Sequence, residues 1–169
     1  MRTRILAVFL QITLLTTLFP NLGLTKANTQ RPNCYAVLDP DGWVYVRDAD
    51  TREVLAKLSN AIAFQSYEIL PGNRVVIGGL SSRRLVVSGN RLRRVDFEQC
   101  MFNYRTVRDS DGYANIRSTP NGSIIDRVNH GSSVLSLRQQ SRDREWLKVM
   151  TSQGTIGWIA NSRLVPMYD

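Results

Sequence analysis

The chain has 169 residues, with 22 Lys and Arg against 14 Asp and Glu, one His, two Cys and 43% hydrophobic content. That length holds one or two small domains and excludes a large α/β enzyme with separate lobes, while the apolar fraction is enough for a packed core. A single His (His130) and two Cys exclude zinc sites built from several His, from four Cys or from paired Cys and His, which leans the reading away from catalysis.

Arg2 and Arg4 precede a largely apolar run at residues 5–19, broken by Gln11, Thr13, Thr16 and Thr17 and closed by Pro20 and Gly23. Thr25 and Ala27 then supply small residues at −3 and −1 of a cleavage site. A basic start, a short apolar stretch and a small-x-Ala site predict a secretory signal peptide over residues 1–27. The rival is an uncleaved anchor, for which the run is short and Thr-laced. Cleavage removes three basic residues and no acidic ones, so the remaining chain stays basic. No second apolar segment of spanning length follows, and no stable membrane span is expected after cleavage. The chain is read as exported: periplasmic, cell-wall associated or secreted. Of the 22 basic residues 19 are Arg, which favours carboxylate or phosphate recognition. Export argues against nucleic acid and leaves anionic wall polymer, membrane surface or acidic protein as partners.

After Cys34 come an Asp-Gly turn at 41–42, a Pro-Gly-Asn turn at 71–73 and a Ser-Gly-Asn turn at 88–90. The short apolar runs RVVIGGL and RLVVS around them read as strands. Residues 51–63 are the nearest approach to a helix. At residue 107 the pattern starts again: VRDSDGYANIR lies over VLDPDGWVYVR at a shift of 70, with five of eleven positions identical. The register continues with residues 54–55 on 124–125 and Asn60 on His130, then becomes 72, with residues 86–87 on 158–159 and 91–92 on 163–164. Two diverged copies of one unit are the economical account. In this register residues 51–63 fall on strand-like residues 121–133, which argues against a helix. The prediction is an all-β chain of two tandem small barrels, 34–100 and 104–167, in contact with each other. Cys34 and Cys100 bracket the first copy, where a small barrel brings its ends together, and an exported context favours a disulfide between them.

The stretch DSDGYANIRSTPNGSIIDRVNHGSSV, followed by REWLKVMTSQGTIGWIANSRL, resembles the bacterial SH3 (SH3b) domain family. GYANIRSTPNG is similar to its first strand and loop, and GTIGWIANSRL to its closing Gly-Trp strand. The first copy matches through DPDGWVYVR and VLAKL, and residues 85–86 (Leu-Val) replace the Gly-Trp pair. The resemblance implies small SH3-like β-barrels, usually non-catalytic, in exported or wall-associated proteins, many of which grip peptidoglycan peptides.

Strand alternation supplies candidate ligand residues without the family. With Ala114 and Ile116 inward, Tyr113, Asn115 and Arg117 face outward, and by the same parity so do Trp43, Tyr45 and Arg47. Aromatic and Arg side chains on one outer face suit a binding surface. The alternative is that the rings cover a barrel edge or pack on the other copy. Trp146 and Trp158 are further ligand candidates, set against half-buried packing. Trp43, Tyr45 and Arg47 form a second candidate site. Arg83, Arg84, Arg91, Arg93 and Arg94 form either a basic patch or a solvated edge. Asp39-x-Asp41-Gly42 and its twin at Asp109 place Gly too early for a calcium loop and read as turns, as in a tight hairpin. His130 lies in an Asn-His-Gly turn, and no catalytic residue, metal or cofactor is expected. The leading expectation is a non-catalytic module that binds peptide, with cell-wall peptidoglycan peptide as ligand. Its rival is an envelope protein–protein adaptor or inhibitor without wall affinity.

Overall fold

The computed structural model describes residues 32–80 and 83–167; the expected signal segment, residues 1–27, lies outside the described residues. The first half contains β1 (Asn33–Val37), β2 (Trp43–Asp48), β3 (Val54–Ser59), β4 (Ala63–Ser66), β5 (Ile69–Leu70), β6 (Arg74–Val76), β7 (Leu85–Ser88), a 3-10 turn (Gly89–Arg91) and β8 (Leu92–Arg94). A short helix α1 (Phe97–Met101) follows. The second half contains β9 (Tyr104–Val107), β10 (Tyr113–Arg117), β11 (Ile124–Asn129), β12 (Ser133–Gln140), β13 (Trp146–Met150), β14 (Ile156–Ala160), a 3-10 turn (Asn161–Arg163) and β15 (Leu164–Pro166).

The chain is all-β, and its two halves are built alike. The second half runs β11-β10-β14-β13-β12-β9-β15 across one antiparallel sheet. The first runs β3-β2-β7-β6-β5 and β4-β1-β8, the same order with the β12 position divided into β4 and β5. The cause of the division is local. In β12 the pairing with β13 slips between Ser136 and Gln140, and Arg138 has φ +58°. At the equivalent place in the first half the strand breaks over residues 67–68. Each half is thus a small SH3-like barrel, strongly bent at one strand and closed by a 3-10 turn ahead of its last strand.

The change of register from 70 to 72 has a structural origin. β5 and β6 are joined by residues 71–73, whereas β12 and β13 are joined by residues 141–145. The longer turn accounts for the two extra residues, and beyond it Arg47↔Val86 in β2–β7 matches Arg117↔Trp158 in β10–β14. Residues 51–63 are strand and turn, as the repeat implied. The Asp-Gly turns are not tight hairpins. β1 pairs with β4 and β8, and β2 with β3 and β7, so the 41–42 turn carries the chain between non-paired strands. Gly42 and Gly112 have φ +83° and +81°, a conformation that Gly adopts without a steric penalty.

A core of Val37, Val46, Leu58, Phe64, Ile77 and Leu85 fills the first barrel, and it continues into Tyr104, Leu135 and Met150 of the second. Val107, Ile116, Val134, Val149 and Ile159 fill the rest of the second barrel. Tyr104 fixes the junction. Its buried hydroxyl donates to the Gly78 carbonyl at 2.7 Å and accepts the Gln65 N–H at 3.1 Å. Asn103 adds a bond from Nδ2 to the Ala63 carbonyl at 2.9 Å. Five-residue α1 carries Cys100 against β1 and β4, and Cys34 and Cys100 form a disulfide with their Cα atoms 5.8 Å apart. No apolar period in the sequence announces so short a helix, which is an addition to the expected all-strand pattern. Among the described residues, no helix is long and apolar enough to cross a membrane.

Candidate functional site: twin grooves on the barrels

Alternation places the outer side chains. In β10 Ala114 and Ile116 are buried, Tyr113 is exposed, and Asn115 and Arg117 are half-buried. In β2 Val44 and Val46 are buried, while Tyr45 and Arg47 are exposed and Trp43 is half-buried. Each outer strand face forms one wall of a groove. The groove of the second copy, about 140 Å³, is lined by Tyr113, Asn115, Arg117 and Trp146, with Asp109, Asp111 and Arg163 at one end. The groove of the first copy, about 450 Å³, is lined by Trp43, Tyr45, Arg47 and Arg74, with Asp39, Asp41 and Arg91 at one end.

All nine residues lining the smaller groove have their repeat equivalents in the larger one. Arg74 takes the place of Trp146, a substitution visible only in the 72-residue register. Trp158 does not line the groove. It lies on β14, paired with Arg117 of β10 on one side and on the other with Lys148 of β13, whose Nζ is 5.9 Å from the Trp158 ring centroid.

The groove ends are built by a buried carboxylate in each copy. Asp39 accepts the Asp41 N–H at 2.8 Å and Arg91 Nη1 at 2.6 Å. Asp109 accepts the Asp111 N–H at 2.9 Å and also holds Arg163. The Asp111 N–H and then the Arg163 guanidinium hold the Asp109 carboxyl below the usual carboxylate range, against the opposing effect of burial. These carboxylates therefore shape turns and clasp an arginine, rather than forming an open oxygen cage. Asn60 braces the first turn, accepting the Asp39 N–H and donating to its carbonyl, both at 2.9 Å. His130 stands in its place in the second copy, with Nδ1 2.9 Å from the Asp109 carbonyl oxygen. Among the described residues, no cluster of His, Cys, Asp and Glu is arranged to hold a metal ion.

Cations lie on the outer rings of both copies. Lys57 Nζ is 3.7 Å from the Trp43 centroid, and Arg127, its repeat equivalent, is 4.8 Å from the Tyr113 centroid. Trp43 and Tyr45 meet edge-to-face at 4.6 Å. Arg117 lies 5.9 Å from the Trp146 centroid and donates to the Gly122 carbonyl at 2.7 Å. Such contacts hold a guanidinium in place while leaving N–H groups for a ligand. The arginine group, open between a basic patch and a solvated edge, divides between ion pairs and the exposed edge strand β8. Arg83 pairs with Asp48, Arg84 with Asp50 and Arg91 with Asp39, while Arg93 and Arg94 are exposed on β8. Arg74 is a groove residue that no local pattern marks; its equivalence to Trp146 in the 72-residue register is the available signal.

No family model and no curated protein matches the chain. Among solved structures it is similar to NlpC2 and NlpC1 from Trichomonas vaginalis, each at 16% identity, with TM-scores of 0.33 and 0.34. These alignments cover 80% and 85% of this chain, which spans about half, 48%, of each NlpC chain. The CBD of endolysin LysPBC5 is similar at 9% identity and a TM-score of 0.32, over 81% of this chain and 95% of that one. Overlaps this loose carry no argument about a ligand or an activity.

Proposed function

We propose that the chain is an exported, non-catalytic binding module that takes peptide in its outer grooves, with cell-wall peptidoglycan peptide as the ligand. The observation behind this reading is the groove formed by Tyr113, Asn115, Arg117 and Trp146. It combines two aromatic faces, an amide and a guanidinium, which suit the apolar faces, backbone amides and carboxylates of a short peptide. The disulfide is in keeping with an oxidising, exported environment.

Retention of the full chain on purified wall sacculi tests the proposal, with wild type compared with Tyr113→Ala/Arg117→Ala. Retention of wild type and loss of at least tenfold in the double variant are expected. Equal retention of both would remove the groove from the account. No retention of either, with envelope proteins recovered by cross-linking, would favour an adaptor without wall affinity.

A further inference from the structure

The larger groove differs from its twin in charge. Arg47 Nη1 donates to the Arg52 carbonyl at 3.2 Å, and its guanidinium lies 5.3 Å from the Tyr45 centroid. Arg74 donates through Nε to the Pro71 carbonyl and through Nη1 to the Ala49 carbonyl, both at 3.1 Å. Neither arginine has a carboxylate partner among the described residues, in contrast to Arg91, which is clasped by Asp39. Backbone carbonyls therefore orient two guanidinium groups without neutralising their charge. Lys57 adds a third cation on the Trp43 ring, and Asp41 at the groove end is the opposing charge.

From this juxtaposition we propose, resting on the peptide-binding reading above, that the Trp43 groove is a second site selective for acidic peptide. One carboxylate would be held by Arg47 and Arg74, with the adjoining carbon chain and peptide planes lying on Tyr45 and Trp43. A guanidinium fork matches a carboxylate with parallel N–H groups, and prior orientation lowers the entropy lost on binding. The exposed Tyr45 ring and the half-buried Trp43 ring favour peptide over a phosphodiester polymer. A polymer of charged, hydroxylated units would satisfy the arginines but leave the two aromatic faces with little apolar surface to cover. The twin groove, with Trp146 in place of Arg74 and Asn115 in place of Tyr45, has one such unpaired guanidinium, Arg117.

The test is titration of the full chain with a hexapeptide containing two Glu, its Gln counterpart and a soluble glycerol-phosphate oligomer, followed by tryptophan emission and calorimetry. The Glu peptide should bind at least tenfold more tightly than the Gln peptide and the oligomer. Arg47→Gln/Arg74→Gln should abolish that preference, and Arg94→Gln, an exposed arginine of β8 outside both grooves, should leave it intact. Equal affinity for the Glu and Gln peptides would overturn the proposal without requiring any variant to fold. Preference for the oligomer, or a preference that survives Arg47→Gln/Arg74→Gln, would overturn it as well. Because sacculus retention is scored at Tyr113 and Arg117, loss of one result leaves the other readable.

Discussion

Arg163 folds back from the 3-10 turn before the last strand to grip the buried carboxylate of Asp109, and Arg91 does the same to Asp39 one copy earlier. The clasp ties the chain segment that closes each barrel to the turn that opens its outer groove. Asp109 in turn raises the Arg163 guanidinium above its ordinary value. The wall of each groove is therefore held by charge and backbone hydrogen bonds, an arrangement that would leave little ordering for a ligand to impose.

The buried carboxylates make stability depend on acid. Asp48 is held far below the usual carboxylate range by the Thr51 N–H and then Arg83, and Asp109 is lowered by Asp111 and then Arg163. An unfolded Asp titrates near about pH 4, so below that pH the unfolded chain binds more protons than the folded one. The contribution of both groups is fully present at neutral pH and is lost as the pH falls through their lower folded values. Melting temperatures from neutrality to about pH 2 should fall steeply below about pH 4 in wild type. Asp48→Asn should melt lower at neutrality and lose part of that slope. A slope unchanged in Asp48→Asn would contradict the assignment.

Tyr104→Phe isolates the junction between the barrels. The variant keeps the ring but strips a partner from the Gln65 N–H and the Gly78 carbonyl. A cost of about 1–3 kcal/mol is expected, the usual penalty for an unsatisfied buried group. Urea unfolding measures it, and an unchanged midpoint would mean that the hydroxyl carries no weight there.

Joining residues 66 apart in sequence, the Cys34–Cys100 disulfide closes a long loop in the unfolded chain. Chain-entropy reasoning gives about 4 kcal/mol of stabilisation. Unfolding in urea with and without a reductant should show a loss of that order, reproduced by Cys34→Ala/Cys100→Ala. A reduced protein as stable as the oxidised one would contradict it.

The barrels were legible because their determinants are local and occur twice. Val44, Val46, Ala114 and Ile116 alternate with outward side chains, and Asp-Gly turns punctuate both copies at one register. The outer face of β2 and β10 followed from parity alone. Other features depend on contacts that no local pattern encodes. Arg91 and Arg163 reach carboxylates more than 50 residues away, at separations of 52 and 54. Arg74 joins the groove only because β6 pairs with β7, which pairs with β2. Five-residue α1 is too short for a helical period to show, and it is held by packing and by its disulfide. The Asp-Gly dipeptides signalled a turn correctly, but which strands the turn joins is set by sheet pairing at long range.

Mapping by amide and indole NMR during titration with soluble muropeptides bears most directly on ligand recognition by the outer grooves. The account predicts shifts centred on Tyr113, Asn115, Arg117 and Trp146, saturating with added ligand and absent from the buried face of β10. A spectrum that does not respond, or shifts confined to residues outside both grooves, would contradict it.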